Sequence, residues 1–397
     1  MADSFLQGKL PRALLFVAAL GGSVPLVAGE EAPGRFDGPL PWRIGVDGAA
    51  SAVLGTNGFL RGVNEREERI GQSVSGNLRA DFSFNAASEE GRLYRGLYQG
   101  IGVGMRTFFA DDMLGKPVSV YVYQGAPFAT FGRFSLGYEW QFGAAFGWKY
   151  YDRVNSEYNA AVSTPVTAHM GVSLKLGYRA SDCFDVTAGV EAAHFSNGNT
   201  SHPNAGVNTV GASVGVAYVI NRPAADSAPR AEWHPSRRWF VDITSYCSWR
   251  KRVVNVDGEP QMCPGRFGVL GLQVAPKWRA SRYLAVGASV GAQYDESADI
   301  QRYHVEGTVG DDIKFYRPPL GNQISVGVAV HGELTMPFFS IDAGLGVNVV
   351  NPHGEKRFYQ SLTLKTFLLP CLYLNVGYRL GDFKDPQNLM LGIGCRL

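Results

Sequence analysis

From about residue 42 onward, hydrophobic and polar residues alternate with a period of two, segment after segment. In CFDVTAGVEAAHFS, Phe184, Val186, Ala188, Val190 and Ala192 share one face, and Asp185, Thr187, Gly189, Glu191 and Ala193 the other. NQISVGVAVHGELTM sets Ile324, Val326, Val328, Val330 and Leu334 against Ser325, Gly327, Ala329, His331 and Glu333. FFSIDAGLGVNVV and CLYLNVGYRL repeat the pattern. Successive side chains of a strand point to opposite faces, so each segment reads as a strand with one apolar and one polar face. Strand starts fall near residues 42, 73, 99, 117, 131, 165, 183, 208, 239, 266, 283, 322, 338, 358, 371 and 388.

That periodicity fits two architectures. A soluble sandwich turns its apolar face to the core, whereas a membrane barrel turns it to lipid and lines its lumen with the polar face. The barrel is favoured by segment lengths of about ten to fourteen residues, against the five or six usual in soluble domains. Aromatic residues near strand ends also favour it, with Trp140 and Phe142, Trp239 and Phe240, and Tyr378 placed as an interfacial girdle. The chain ends in a strand, NLMLGIGCRL, that puts Leu389, Leu391, Ile393, Cys395 and Leu397 on one face. The expected fold is therefore all-β, a closed antiparallel transmembrane β-barrel of about fourteen to sixteen strands, with twelve as the alternative count. Residues 221–238, polar and Pro-rich, are expected to be a long loop of a single barrel over 30–397. A linker between two smaller barrels is the less economical reading.

Composition supports this picture. The 397-residue chain is 45% hydrophobic but only 18% charged, with 49 Gly, 23 Phe, 18 Tyr and 7 Trp. Such a low charge content suits a protein whose outer surface does not face water. A formal net charge of +2 and scattered Lys and Arg give no support for a nucleic-acid partner. Residues 1–29 read as an export signal, with Lys9 and Arg12 before the apolar stretch ALLFVAAL and small residues up to Ala28 or Gly29. The localisation expected is the cell outer membrane. Five cysteines show no metal-ligand spacing and read as small apolar fillers, although Cys247 and Cys263 could bridge across one hairpin. No phosphate-loop signature occurs, and neither a metal nor a cofactor is expected.

Candidate chemistry sits in HFSNGNTSHPNAGVN, residues 194–208. His194 and Ser196 are even-numbered and continue the outward face of their strand. Asn208 heads the same face of the next strand, so a hairpin brings imidazole, hydroxyl and amide to one rim of the barrel. A serine hydroxyl needs a base to take its proton, and histidine is the usual base near neutral pH. A third polar group on the other ring nitrogen fixes the tautomer. Asn and Gly in the loop can donate to an oxyanion. The competing reading makes SNGNTSHPNAG turn chemistry only, with Asn and Gly in left-handed conformations. Glu191 points into the lumen, His202 is a turn residue, and His331 and Glu333 are lumen polar groups.

HFSNG followed by PNAGVN resembles the lipid A 3-O-deacylase (PagL) family. LYQGIGVGM, GYEWQFGAAFGWKYYD and HFSNGNT, within about 93–222, are closer still to acyloxyacyl hydrolases of Bacteroidetes. The resemblance implies an eight-stranded outer-membrane barrel that removes an ester-linked acyl chain from lipid A without a cofactor. It makes His194 and Ser196 catalytic and places Asn197 at the oxyanion; Gly198 is the loop glycine expected to donate beside it. The family's triad Glu falls at Asn208, where a neutral amide can orient the histidine but cannot stabilise the imidazolium by charge. The resemblance covers residues 239–397 weakly or not at all, and that half is expected to add strands. The function expected is a serine esterase acting on lipid A or a related glycolipid, with a non-catalytic pore or structural barrel, or a secreted soluble β-sandwich, as alternatives.

Overall fold

A computed structural model describes residues 40–84, 88–222, 232–235, 237–351, 356–383 and 385–397; the export segment lies outside them. The alternating segments form β1 (Trp42–Val53), β2 (Gln72–Ser83), β3 (Tyr98–Thr107), β4 (Gly115–Phe131), β5 (Phe134–Trp148), β6 (Val166–Arg179), β7 (Phe184–Ser196) and β8 (Val207–Ile220). After the stretch around 221–238 come β9 (Trp239–Arg250), the short β10 (Val253–Val256) and β11 (Glu259–Met262), and β12 (Phe267–Arg279). The last six are β13 (Leu284–Asp295), β14 (Ile324–Thr335), β15 (Phe339–Val350), β16 (Phe358–Phe367), β17 (Leu372–Gly381) and β18 (Asp385–Arg396).

These strands close into two barrels, not one. β1 to β8 form the first barrel, sealed where Trp42 faces Ile220 and Val53 faces Thr209. β12 to β18 with β9 form the second, sealed where Leu391 faces Cys247 and Arg396 faces Asp242. All neighbouring strands are antiparallel. The sixteen barrel strands match the upper expected count, but the single barrel over 30–397 is corrected. The 221–238 stretch joins one barrel to the other, because β8 finds its partner in β1 and leaves no edge for β9. Between β9 and β12, β10 and β11 pair as a separate hairpin.

Burial decides between lipid-facing and core-facing apolar residues. Val190 is 57% exposed, Val214 67% and Leu78 66%, whereas their polar neighbours turn inward. The soluble sandwich is thereby excluded. Eight strands leave an interior just wide enough for side chains to fill. In the first lumen Arg79 donates to Asp47 at 2.7 Å and to Glu139 at 2.5 Å, and Lys175 reaches Glu139 at 2.9 Å. In the second, Lys277, Lys365 and Arg396 interleave with Asp242, Glu333 and Asp342. A buried charge is costly unless paired, and these are paired.

The 132–133, 180–183 and 280–283 turns lie at the barrel ends that carry Trp42 and Trp239. Exposed Trp42, Phe128, Phe131, Phe134, Phe184, Tyr218 and Trp239 ring those ends. Three aromatics expected in that girdle are elsewhere, Phe142 being partly buried at mid-strand against the Trp140–Phe339 cluster. Phe240 is buried on the inner face of β9, and Trp140 is buried where the barrels meet, edge-on to Phe339 at 5.5 Å between centroids. At the opposite end of the first barrel, loop residues Phe59, Leu60, Phe108, Leu114, Ala161 and Val162 pack with Trp148 and Phe195 into an apolar cap.

Candidate active site

The His194–Ser196 rim lies beside this cap, where β7 gives way to the 197–206 loop. Cross-strand register pairs His194 with Asn208 on β8, Met170 with His194 and Ala168 with Ser196 on β6. Phe195, between the two site residues, points inward and is buried against Trp148 and His169. That anchor fixes the outward direction of both neighbours. His194, Ser196 and Asn208 are each partly exposed.

His194 Nδ1 lies 2.7 Å from Asn208 Oδ1. An amide oxygen only accepts, so with this amide orientation Nδ1 carries the proton and Nε2 presents its lone pair. The Asn208 backbone is itself held, its carbonyl accepting from Leu54 N at 2.9 Å. Ser196 shares the outward face, but no hydrogen bond joins its hydroxyl to the histidine in this arrangement. Nucleophile–base contacts are often loose in the absence of substrate and tighten when it binds.

The loop has defined chemistry of its own. Gly198 and Asn199 have φ of +63° and +64°, the left-handed conformations expected of a tight turn, and Thr200 N donates to Asn197 O at 3.4 Å to close it. Asn197 is buried, and all its donors are in use. Its backbone N–H goes to Asn204 Oδ1 at 3.1 Å, and its Nδ2 to Ser163 Oγ and Ser201 O, both at 3.0 Å. By contrast, the N–H of buried Gly198 donates to no acceptor among the described residues. A buried donor of that kind normally has a partner.

Three further residues shape the site. Gly206 has φ +71°, and a Cβ there would stand 3.0 Å from His194 Cε1, 2.9 Å from Phe195 O and 3.6 Å from Ser196 Cβ. It therefore lies directly over both catalytic candidates. Asn204 and Ser163 hold Asn197 in place. Asn204 and Gly206 stand in the PNAGVN string, but alternation says nothing about residues between strands.

Other groups singled out by sequence sit as expected. Glu191 faces inward beside Arg106 at 3.3 Å. His331 lies in the second lumen, with Ser289 Oγ at 2.8 Å from Nε2 and Asp342 Oδ1 at 2.7 Å from Nδ1. Those residue types match a catalytic triad, but all three are buried among the lumen charges, where an acyl chain has no entry. Asp242, Glu333 and Asp342 lie close enough to share a cation, yet Lys277, Lys365 and Arg396 already neutralise them. The five cysteines are free thiols; Cys247 lies on the outer face of β9, and Cys263 packs in the loops with Val254, Val256, Ile300 and Ile313.

Comparison with known proteins gives two family matches. Residues 71–217 match the lipid A 3-O-deacylase (PagL) family, and residues 239–397 match the acyloxyacyl hydrolase C-terminal domain. The second match corrects the expectation that the resemblance leaves that half of the chain uncovered. No curated protein matches the chain. Solved outer-membrane barrels resemble it only distantly. Neisserial surface protein A is 12% identical with a TM-score of 0.29, over 45% of this chain and 96% of that one. The ferric enterobactin receptor of Pseudomonas aeruginosa is 8% identical with a TM-score of 0.23, over 85% and 68%. The toluene transporter TodX of Pseudomonas putida is 9% identical with a TM-score of 0.18, over 90% and 87%. With the family matches spanning both barrels and the lipid-facing strand surfaces, the chain belongs to the PagL family of outer-membrane β-barrel enzymes that remove an acyl chain from lipid A.

Proposed function

We propose that this protein is an outer-membrane serine esterase in which Ser196 attacks an ester carbonyl of lipid A or a related glycolipid. The observation that carries the reading is the 2.7 Å contact between His194 Nδ1 and Asn208 Oδ1, on the rim that also bears Ser196. With Nδ1 protonated, Nε2 takes the Ser196 proton as Oγ bonds to the carbonyl carbon. The carbonyl oxygen becomes the oxyanion of a tetrahedral intermediate. Collapse expels the sugar alkoxide, which takes the proton back from Nε2. Water then attacks the acyl-serine with His194 again as base, releasing the fatty acid and restoring the hydroxyl.

The Gly198 N–H is the donor available to the oxyanion. Asn197 Nδ2 is the second, since an oxyanion outcompetes the neutral Ser163 hydroxyl it now serves. The outward direction of the site suits a substrate whose ester bonds lie at the membrane interface and whose acyl chains lie along the barrel wall. No step needs a metal or a redox group.

Ser196→Ala tests the reading directly. Mass spectrometry of lipid A from cells expressing the wild type should show loss of one acyl chain, and cells expressing Ser196→Ala should keep it. Equal deacylation by both proteins overturns the serine mechanism. A competing reading, a barrel with a lapsed site, draws on the neutral amide at position 208 and the open Ser196–His194 contact. It predicts intact lipid A with either protein.

A further inference from the structure

The turn that carries the oxyanion donors is held from its far side by the second barrel. Gly198 is buried against Leu389 of β18, so closely that a Cβ at 198 would fall 2.2 Å from Leu389 Cδ2. Asn199 is buried too, and its Nδ2 donates to Pro386 O at 2.9 Å and Gln387 O at 3.5 Å. Lys251 N, just past β9, donates to Thr200 O at 3.2 Å. Three successive residues of the turn thus rest on the other barrel. The receiving strip is itself fixed: Arg250 Nη1 donates to Gln387 O at 2.7 Å, its Nε to Ser297 Oγ at 3.2 Å, and it ion-pairs with Asp295.

We propose that the second barrel is part of the deacylation machinery, as a seat that sets the Asn197–Thr200 turn, with Asn199 and Leu389 as positioning residues. The proposal rests on Ser196 acting as the nucleophile. The Asn197–Gly198 peptide that carries this N–H is tied within the turn, its carbonyl accepting from Thr200 N at 3.4 Å and Thr200 Oγ1 at 2.9 Å, so the direction of the N–H follows the placement of the turn as a whole. Donors to an oxyanion must be held to within about 0.5 Å of their working position. Contacts from Pro386, Gln387, Leu389 and Lys251 supply that restraint. This gives residues 239–397 a role in catalysis that does not need a second active site.

The test uses the full-length protein in detergent–lipid A micelles, with steady-state deacylation measured per folded barrel. The folded fraction is read from heat-modifiable electrophoretic mobility. Asn199→Ala should lower kcat ten- to a hundredfold with KM nearly unchanged, somewhat less than outright loss of one oxyanion donor. Asn199→Asp should fall at least as far, because it sets a carboxylate against two carbonyl oxygens. Asn199→Gly keeps the left-handed backbone without the seat bond and should also fall, which separates the bond from backbone strain. Leu389→Ala should fall similarly. Lys251→Pro removes one seat donor from the second barrel without altering the sequence of the first; it should also lower kcat, and it keeps the test open where the Asn199 variants fold poorly. In every variant the acid limb of the pH profile should stay at its wild-type position, because the base is intact. Wild-type kcat per folded barrel in the Asn199, Leu389 and Lys251 variants, with Ser196→Ala inactive, overturns the seat and leaves the serine mechanism standing. An active Ser196→Ala removes the serine mechanism and this proposal with it.

Discussion

At the scale of single residues, the site turns on which atom faces the second nitrogen of His194. Asn208 offers an amide oxygen at 2.7 Å, which orients the ring but adds no negative charge as the imidazolium forms. Asn208→Ala should therefore cost less than Ser196→Ala, on the order of tenfold in kcat rather than a complete loss. Asn208→Glu should raise kcat if the longer carboxylate reaches Nδ1, since a triad acid is worth up to about four powers of ten. Wild-type rates for both, measured by release of fatty acid, would mean that another group orients the ring. Gly206 makes a second prediction. Alanine there meets a backbone of φ +71° and stands 3.0 Å from the His194 ring. Gly206→Ala should cost about 1 kcal/mol in stability from the left-handed backbone and at least tenfold in kcat as the ring shifts. Unchanged kinetics would show that the glycine serves the turn alone. Parity made part of this site legible: His194, Ser196 and Asn208 share a face because they are even-numbered on paired strands. Gly206, Asn204 and Ser163 were not legible, because their positions come from loop conformation and from contacts 34 residues apart in sequence, as between Asn197 and Ser163.

At the scale of elements, sixteen strand starts read from alternation fall within three residues of the observed ones, from Trp42 to Asp385. A half-buried strand must alternate, so that signal is written into every residue. Loops have no such period, and their docking depends on what lies opposite. His202 illustrates this. It reads as a turn residue, but its pKa is lowered by burial and by the charges of Arg252 and Arg250 from the second barrel. The docked loop thus binds a proton less readily than a free loop does. Docking is at full strength above the free histidine value of 6.5 and weakens as pH falls through it toward the depressed value. Limited proteolysis between Asn197 and Gly206 should accordingly become faster below about pH 6.5, and His202→Gln should flatten that dependence. Such a readout follows the loop and not turnover. A protease rate in His202→Gln with the wild-type pH dependence would exclude His202 as the sensitive group.

At the scale of the whole molecule, alternation gives the number of strands but not where the sheet closes. One barrel of sixteen and two barrels of eight have the same strands in the same order. They differ only in two pairings: β8 turns back to β1 and β18 to β9, where a single barrel would pair β8 with β9 and β18 with β1. The Pro-rich 221–238 stretch fits either case. Once closed, the barrels meet through the 198–200 turn seated on Pro386, Gln387, Leu389 and Lys251, and through aromatic contacts elsewhere: Trp140 on Phe339, Phe84 stacked on Phe338 at 6.2 Å and Tyr94 edge-on to Tyr283 at 5.5 Å, with Arg282 donating to Leu93 O at 2.8 Å. Lipid is as apolar as these rings, so burying them gains little from the hydrophobic effect, and packing must hold the pair together. The chain linkage assists by keeping the local concentration of one barrel near the other in the millimolar range. A specific protease site inserted between Arg222 and Glu232 separates these contributions. Cleavage should leave two fragments, each resisting unfolding in cold detergent as a closed barrel, with deacylation retained while they stay together. Dilution should then part them and lower activity, and Trp140→Ala should shift that separation to higher concentration. A single species that unfolds as one unit on cleavage would contradict two closed barrels. Fragments that part freely while keeping full activity would show that the first barrel needs nothing from the second.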